Sequence, residues 1–228
     1  ESIKFGVVGA IDHPQIDYTK VNYSKGPYSN EPWQAISYAS CHDNHTLYDK
    51  LSASRSDAKK LSIIHMDKLA AAIVFTSQGT AFMHAGAEML RTKNGEHNTY
   101  NLPDKINQID WRWKVEHKDV MDYYKNLIRL RQAHPALRMP SASHVRKLLN
   151  FETVEDGLIS FIICDHANGD PWKNILIVYN ARTKPAAYIL KGKWRRAVKG
   201  NEFNYKNGKV ITEKVSVPPI SMFVAYQE

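Results

Sequence analysis

A short apolar run ends in three polar residues, His42, Asp43 and Asn44, whose side chains could hold a substrate by hydrogen bonds. The run, residues 35–40, has the length and composition of a parallel strand buried on both faces. Active sites of parallel α/β folds lie where such strands end. The sequence therefore predicts a site at Asp43. The alternative interpretation is a plain turn in which Asp43 caps the next segment.

Residues 87–118 contain a second group of polar and aromatic side chains but no apolar period. Connections in compact domains are usually far shorter, and long ones are often functional. Arg91 could bind a ligand or only pair with Glu88, and Tyr100 could bind or support the loop. We interpret the two tryptophans, Trp111 and Trp113, as core anchors.

The elements around these residues are predicted to alternate between strand and helix. Residues 80–85 form a second short apolar run, which indicates another buried strand parallel to residues 35–40. Between them, Ser56 is a candidate N-cap for a helix of about 20 residues that Gly79 closes. A second helix is predicted from Asp119 to His134, and its basic residues Lys125, Arg129 and Arg131 are expected to face solvent.

The first 34 residues are rich in Pro, Gly and Asn, which predicts an irregular surface loop. Its tyrosines, Tyr18, Tyr23 and Tyr28, could stack on a sugar or pin the loop to the fold, and the sequence leaves both open.

After about Pro140 the pattern changes to short apolar runs separated by turns, which is typical of an antiparallel β-sandwich. The predicted strands are residues 145–151, 158–164, 175–179, 187–190, 194–198, 209–212 and 222–226, and Asn207–Gly208 is predicted to be a hairpin turn. Phe161, Trp172 and Trp194 are expected in its core. The predicted domains are therefore residues 1–140 and 141–228.

Composition excludes several function classes. The 228 residues carry a net charge of +8, but the basic residues are dispersed, so we expect no nucleic-acid partner. No run approaches the roughly 20 apolar residues of a membrane helix, so we expect no membrane partner.

Cys41 and Cys164 are too far apart for a metal or disulfide pattern. His45, His65 and His84 have no carboxylate cluster at ligand spacing, so we predict no metal and no cofactor. The chain begins with Glu1, which we interpret as the start of a processed piece, and no cellular location is assigned.

Three stretches carry a family resemblance. Residues 36–51 read Ile-Ser-Tyr-Ala-Ser-Cys-His-Asp-Asn-His-Thr-Leu-Tyr-Asp-Lys-Leu, residues 86–95 read Gly-Ala-Glu-Met-Leu-Arg-Thr-Lys-Asn-Gly, and residues 98–111 contain Asn-Thr-Tyr-Asn-Leu-Pro-Asp and Ile-Asp-Trp. In this order and spacing they resemble the type I pullulanases, debranching enzymes of glycoside hydrolase family 13 in the α-amylase superfamily. Residues 13–18 are also similar to that family.

The resemblance implies an α/β part followed by an all-β part: the C-terminal part of a (β/α)₈ TIM barrel, with strands seven and eight, and then an antiparallel β-sandwich. It implies a retaining hydrolase of α-1,6-glucosidic linkages in pullulan, glycogen or starch-derived dextrins. Asp43 matches the catalytic carboxylate that stabilises the transition state by gripping the reacting sugar. The substrate-binding positions that it implies are His42, Asn44, Arg91, Asn98, Tyr100 and Asn101.

The family's nucleophile and acid/base have no counterparts in the chain. We therefore expect two partners, an α-glucan substrate and the N-terminal remainder of the same enzyme, and no activity in the isolated chain. An α-1,4 specificity is disfavoured by residues 90–93 and 98–101. The alternative from another class is a carbohydrate-binding or interaction module without chemistry.

Overall fold

The computed structural model describes residues 1–205 and 207–228. The helices within these residues are α1 (Ser2–Val7), α2 (Leu47–Ser54), α3 (Lys60–Thr76), α4 (Asp104–Asn107), α5 (Trp113–Glu116), α6 (Lys118–Ala133) and α7 (Ala142–Leu148). The strands are β1 (Ile36–Ser37), β2 (Thr80–Ala81), β3 (Leu149–Glu155), β4 (Leu158–Ile163), β5 (Asn174–Asn180), β6 (Ala186–Ile189), β7 (Trp194–Lys199), β8 (Glu202–Phe203), β9 (Val210–Ile211), β10 (Lys214–Val217) and β11 (Ser221–Gln227). None of the helices described is long and apolar enough to cross a membrane.

Strands β1 and β2 pair in parallel, with α2 and α3 between them in the chain. The parallel strand–helix–strand order is as predicted, but the predicted lengths and burial are wrong. Each strand has only two residues, and the side chains of Ile36 and Phe82 are 59% and 44% exposed. Among the residues described, β1 and β2 pair only with each other. The outer edges of this two-stranded sheet are therefore open, and no neighbouring strand covers its apolar side chains.

The predicted start of α3 at Ser56 is also wrong, because the helix begins at Lys60 and no side chain caps it. The carboxylate of Asp57 instead binds the Arg55 guanidinium, with nitrogen–oxygen distances of 2.9 Å. The helix ends at Thr76, so Gly79 lies beyond the position expected for a closing residue. Gly79 has φ +88°, and a Cβ there would lie 2.7 Å from the carbonyl oxygen of Pro32. A glycine at this position therefore permits the close approach of two backbone segments.

Helix α6 matches its predicted bounds to within one residue at each end, and Pro135 follows it. Its basic residues do not all face solvent, however. Arg131 is only 9% exposed, and its guanidinium donates to the carbonyl oxygens of Phe75 (3.1 Å), Ser77 (2.7 Å), Gly79 (2.5 Å) and Leu137 (2.9 Å). The last carbonyl groups of a helix have no partner within the helix, so Arg131 satisfies groups at the end of α3 that would otherwise be buried and unpaired.

The largest sheet is antiparallel and has the order β3-β4-β5-β11-β7-β8, with β9 also paired to β7. Side chains of its central strands alternate between two hydrophobic clusters. On β5, Ile177 and Tyr179 pack into the cluster that contains α3 and α6, whereas Leu176 and Val178 pack into a cluster with the β6–β10 pair. Both faces are covered, which explains the nearly continuous apolar run of β5.

Several details of the β-rich part correct the sequence-based assignments. Residues 142–148 form α7, because Ser141 caps a helix there by accepting from the His144 amide, so the predicted strand at 145–151 begins only at Leu149. Strands β8 and β10 were not predicted.

The Asn207–Gly208 pair is not a hairpin turn, since it lies between β8 and β9, which both pair with β7. A Cβ on Gly208 would lie 2.2 Å from the Arg196 carbonyl oxygen, so this glycine serves packing.

The aromatic residues divide between core and surface. Phe161, Trp172 and Trp194 are at most 7% exposed, which confirms their assignment to the core. Trp111 is 67% exposed and is therefore not a core anchor in this chain, and Trp113 is half-buried. The first 34 residues are not wholly irregular, because α1 buries Phe5 and Val7. Tyr18 packs partly buried against the main hydrophobic cluster and donates to the Ile11 carbonyl (3.2 Å) within the same segment, whereas Tyr23 and Tyr28 are exposed.

A buried carboxyl group, Asp67 on α3, is fully shielded from solvent. One of its oxygens accepts a hydrogen bond from the Tyr124 hydroxyl (2.9 Å), and the other has no partner among the residues described. Burial raises the pKa of Asp67 from 3.8 to about 7, against the smaller effects of the Tyr124 hydrogen bond and of Lys68. The protonated form of Asp67 is therefore the form that suits this site.

Replacing Asp67 by Asn should stabilise the chain, and the gain should grow with pH. Between about pH 4 and pH 7 the folded chain keeps a proton that the unfolded chain releases, so the stability of the original chain falls across this window. The amide does not titrate, so the gain should reach roughly 3–4 kcal/mol above pH 7. Unfolding measured from pH 4 to pH 8 tests this. Asp122→Asn is the control with the opposite sign, because Lys118 lowers the pKa of the exposed Asp122; a gain for Asp67→Asn that does not vary with pH would contradict the account.

Replacing Arg131 by Met should destabilise the fold by about 2–5 kcal/mol, since it leaves several buried carbonyl groups without a donor. The matched control is Arg129→Met on the exposed face of the same helix, for which a change within about 0.5 kcal/mol is expected. Urea unfolding of the two variants gives the comparison. Equal losses in both would mean that the carbonyl contacts of Arg131 do not matter.

Candidate functional site

The first wall of the site is the loop after β1, residues 38–46, which we name the first cavity loop. Its His42 and Asp43 side chains are 85% and 74% exposed, and His42 Nδ1 lies 3.4 Å from an Asp43 carboxylate oxygen. Asn44 has φ +60°, a left-handed conformation that Asn tolerates better than most residues. The loop ends where Thr46 caps α2 by accepting from the Asp49 amide (3.2 Å). Asp43 itself does not serve as the cap, which leaves its carboxylate available to a ligand.

The second wall is the loop after β2, residues 82–103, which we name the second cavity loop. Arg91 anchors it, because its guanidinium donates to the carbonyl oxygen of Ala85 (3.2 Å) and to that of Asn107, and lies 3.4 Å from His84 Nε2. Glu88, considered above as its partner, instead accepts a hydrogen bond from the Gly86 amide (3.0 Å). The tight turn at residues 87–89 directs Glu88 back onto its own backbone, so no Arg91–Glu88 ion pair forms.

The two loops enclose an open cavity of about 740 Å³ at the carboxyl ends of β1 and β2. Its lining includes most of the residues predicted from the sequence: His42, Asp43, Asn44, Arg91, Asn98 and Tyr100. Asn101 is exposed on the same turn and is not part of the lining. Cavities of this size accommodate ligands larger than a single small metabolite.

Sequence reasoning missed five residues of the lining: His84, Lys93, His97, Thr99 and Asn107. From the sequence we expect a core or surface histidine at position 84, but His84 lies in the loop after β2, as His42 lies in the loop after β1. Lys93 lies in the stretch used for the family resemblance, so its position was a usable signal. No sequence pattern indicated Asn107. Its side chain lies at the cavity because its amide donates to the carbonyl oxygens of Thr99 (2.7 Å) and Leu102 (3.0 Å) in the second cavity loop.

Burial and neighbouring cations set the charge of the cavity. Burial lowers the pKa of His84, and the neighbouring positive charges of Arg91 and Lys93 lower it further, so the neutral form of its imidazole is favoured. Burial also lowers the pKa of Lys93, with Arg91 acting in the same direction and Asp49 and Asp43 opposing it. A neutral imidazole can both donate and accept a hydrogen bond. The lining thus offers donors and acceptors to an uncharged, hydroxyl-rich ligand.

Tyr100 adds a flat aromatic surface, since its side chain is 86% exposed. Asp43 is the one carboxylate in the lining among the residues described. Retaining hydrolysis of a glycoside needs two carboxylates about 5–5.5 Å apart, so this arrangement can hold a sugar but does not supply a complete catalytic pair. Within residues 1–205 and 207–228, no three His, Cys, Asp or Glu side chains are grouped to hold a metal.

A family model, a curated relative and solved structures that match the chain are all pullulanases. Residues 145–202 match the family model described as the all-beta domain of pullulanase. The chain is 40% identical over 151 residues to a pullulanase from Bacillus subtilis strain 168, which covers 65% of this chain and 21% of that protein.

Solved structures match over almost the whole chain. A pullulanase from Bacillus acidopullulyticus superposes with a TM-score of 0.89 and 38% identity, covering 99% of this chain and 26% of that one. The type I pullulanase from Bacillus subtilis strain 168, complexed with maltose, gives a TM-score of 0.90 and 30% identity, covering 99% and 30%. The chain spans about a fifth of the length of the first relative and under a third of these two structures. In sequence and in fold the chain belongs to the pullulanases of glycoside hydrolase family 13.

Proposed function

We propose that the chain is the C-terminal part of a debranching enzyme that cleaves α-1,6-glucosidic linkages in pullulan, glycogen or starch-derived dextrins. In this proposal β1 and β2 are strands seven and eight of a (β/α)₈ barrel that includes residues 1–140, and residues 141–228 are the β-sandwich behind it. Two observations support the assignment. The strands are parallel, and the cavity lies at their carboxyl ends, where barrel enzymes have their active sites.

Asp43 is the transition-state-stabilising carboxylate of the proposed enzyme. The observation that carries this role is its position: it is an exposed carboxylate, beside His42, in a cavity whose other polar groups are amides, imidazoles, hydroxyls and two cations. The hydrolysis passes through an oxocarbenium-like transition state, and hydrogen bonds to ring hydroxyls that tighten there add several kcal/mol. A carboxylate held against those hydroxyls stabilises the distorted ring more than the relaxed one.

The remaining candidate residues bind neighbouring glucosyl units. Arg91, Asn98 and Tyr100 lie on the wall opposite Asp43, and Asn101 is within the same turn. Amide side chains pair with sugar hydroxyls, and an exposed tyrosine ring can pack on a sugar face. The matched Bacillus subtilis pullulanase was crystallised with maltose, which supports an α-glucan as the ligand here.

The nucleophile and the acid/base must come from the N-terminal remainder of the same protein. The exposed apolar side chains at the β1–β2 pair indicate where that remainder packs: Ile36, Tyr38 and Phe82 are 59%, 54% and 44% exposed. Adjoining strands of the barrel would cover them and recover the hydrophobic stabilisation that this surface lacks in the isolated chain.

Asp43→Ala in the full-length enzyme should reduce kcat on pullulan by at least about 10³-fold, because it removes an interaction that is strongest in the transition state. Its unfolding temperature should stay close to that of the parent, since the side chain is exposed. Asp156→Ala, in a turn of the β-rich part, is the control. If this part of the enzyme only bound carbohydrate, Asp43→Ala would leave turnover unchanged. That result would exclude the catalytic role.

The isolated chain should release no reducing ends from pullulan, because Asp43 is the cavity's one carboxylate and the two that the reaction requires as nucleophile and acid/base are both missing from it. Adding the N-terminal remainder as a separate polypeptide should restore cleavage if the two pieces assemble. The assay is reducing-end release by the chain, by the remainder and by their mixture. Cleavage by the chain alone would refute the assignment of the missing catalytic groups.

A further inference from the structure

Asp49 lies beneath the cavity and joins its two walls. It belongs to the first turn of α2, directly after the first cavity loop, and is 5% exposed. One carboxylate oxygen accepts a hydrogen bond from the Thr92 hydroxyl (2.5 Å), and the other accepts from the Lys93 amide (2.7 Å). Both donors belong to the second cavity loop. An acidic side chain in the first turn of a helix is usually explained by its favourable interaction with the N-terminus of that helix. That interaction does not explain the hydrogen bonds of Asp49 to Thr92 and Lys93, which are distant along the chain.

Lys93 continues the connection into the cavity itself. Its side chain is as buried as Asp49, at 5% exposure. Its ammonium group donates to the Thr99 hydroxyl (2.7 Å) and lies 3.5 Å from the carbonyl oxygen of His42. Lys93 therefore contacts the residue before Asp43 on one wall and the residue between Asn98 and Tyr100 on the other.

We propose that Asp49 is a positioning residue that fixes the two cavity loops relative to each other. Through Thr92 and Lys93 it sets the distance between the carboxylate that grips the reacting sugar and the side chains that bind its neighbours. The proposal rests on the proposed function, because that function defines the sugar-binding roles of the two walls. Asp49 touches no substrate in this arrangement and acts only through the loops.

The strength of these contacts distinguishes them from the other link between the walls. His45 and His97 stack at 5.6 Å between ring centroids, but His97 is exposed. Hydrogen bonds to an ionised carboxylate are shorter and about twice as strong as neutral ones. A buried pair of them therefore restrains the loops more than an exposed ring stack does. An error of about 1 Å in the placement of a sugar-binding group can cost on the order of 100-fold in rate.

The test uses the full-length enzyme, with kcat and KM for pullulan measured well below the unfolding temperature and corrected for the folded fraction. Asp49→Asn should lower kcat about 10–100-fold, because the amide keeps the size of the side chain but presents an NH₂ group to one of the two donors. Asp57→Asn is the matched control, an exposed carboxylate just after the same helix. Thr92→Ala should also lose kcat, and Thr92→Ser should retain more activity than Thr92→Ala because it keeps the hydroxyl.

The outcomes separate this proposal from the one on which it rests. A full-length enzyme that cleaves pullulan and loses activity in Asp43→Ala upholds the proposed function, and Asp49→Asn then decides the positioning role. A kcat and KM within twofold of the parent would overturn that role, as would a loss explained wholly by the folded fraction. If Asp49→Asn does not fold, the Thr92 pair decides: equal kcat in the Ala and Ser variants overturns the proposal. An enzyme without activity on pullulan would overturn both.

Discussion

The contacts of one buried guanidinium, Arg131, hold together the parts of the chain on which the cavity depends. The end of α3 and the turn into β2 present carbonyl groups to the interior, where water cannot satisfy them. The fork of donors on an arginine can satisfy several such groups at once. Burial lowers the pKa of Arg131 to about 10, so it remains charged at neutral pH and its hydrogen bonds remain charge-assisted. Without it, these carbonyl groups would be buried without a donor.

Gln78 completes this junction from the neighbouring position. It is fully buried, and its amide donates to the carbonyl oxygen of Ala136 (2.9 Å) while its side-chain oxygen accepts from the Met139 amide (2.8 Å). The antiparallel sheet supports α3 from the other side, where the Thr76 and Tyr179 hydroxyls are 2.6 Å apart. The β-rich part contributes no residue to the lining, but it supports the site through α3. It packs against this helix, the end of the helix leads into β2, and β2 leads into the second cavity loop.

The sequence predicted those features that depend on regular patterns over many residues. The apolar period of α6 and the antiparallel strands of the β-rich part follow from burial that repeats at a fixed spacing, and the parallel strand–helix–strand order follows from two short apolar runs on either side of a helical period. Predictions at single positions failed where a long-range contact outweighed a local preference. The helical pattern places Arg131 on the surface, but its guanidinium binds carbonyl groups at the end of α3. The Asn207–Gly208 pair is typical of a hairpin turn, but Gly208 instead allows the backbone to pass close to the Arg196 carbonyl group.

The site shows the same division. Residues that follow a strand directly, such as Asp43, could be placed in the cavity from the chain alone, because the carboxyl end of a strand fixes where they lie. Asn107 could not, since its side chain reaches the cavity through hydrogen bonds to the second cavity loop that no spacing rule describes. The exposure of Ile36 was missed for a related reason, because a pattern of buried residues does not say which part of the protein buries them.

The charges of the cavity fit the division of labour in the proposed enzyme. On this chain the lining contains two cations, Arg91 and Lys93, against the one carboxylate of Asp43. Two further carboxylates, the nucleophile and the acid/base, would have to share a site with Asp43, and like charges close together oppose ionisation. A wall that carries a surplus of positive charge offsets that repulsion, so the nucleophile can stay ionised beside Asp43. In the proposed enzyme, the cations of the second cavity loop would therefore favour the ionised nucleophile without contacting the bond that breaks.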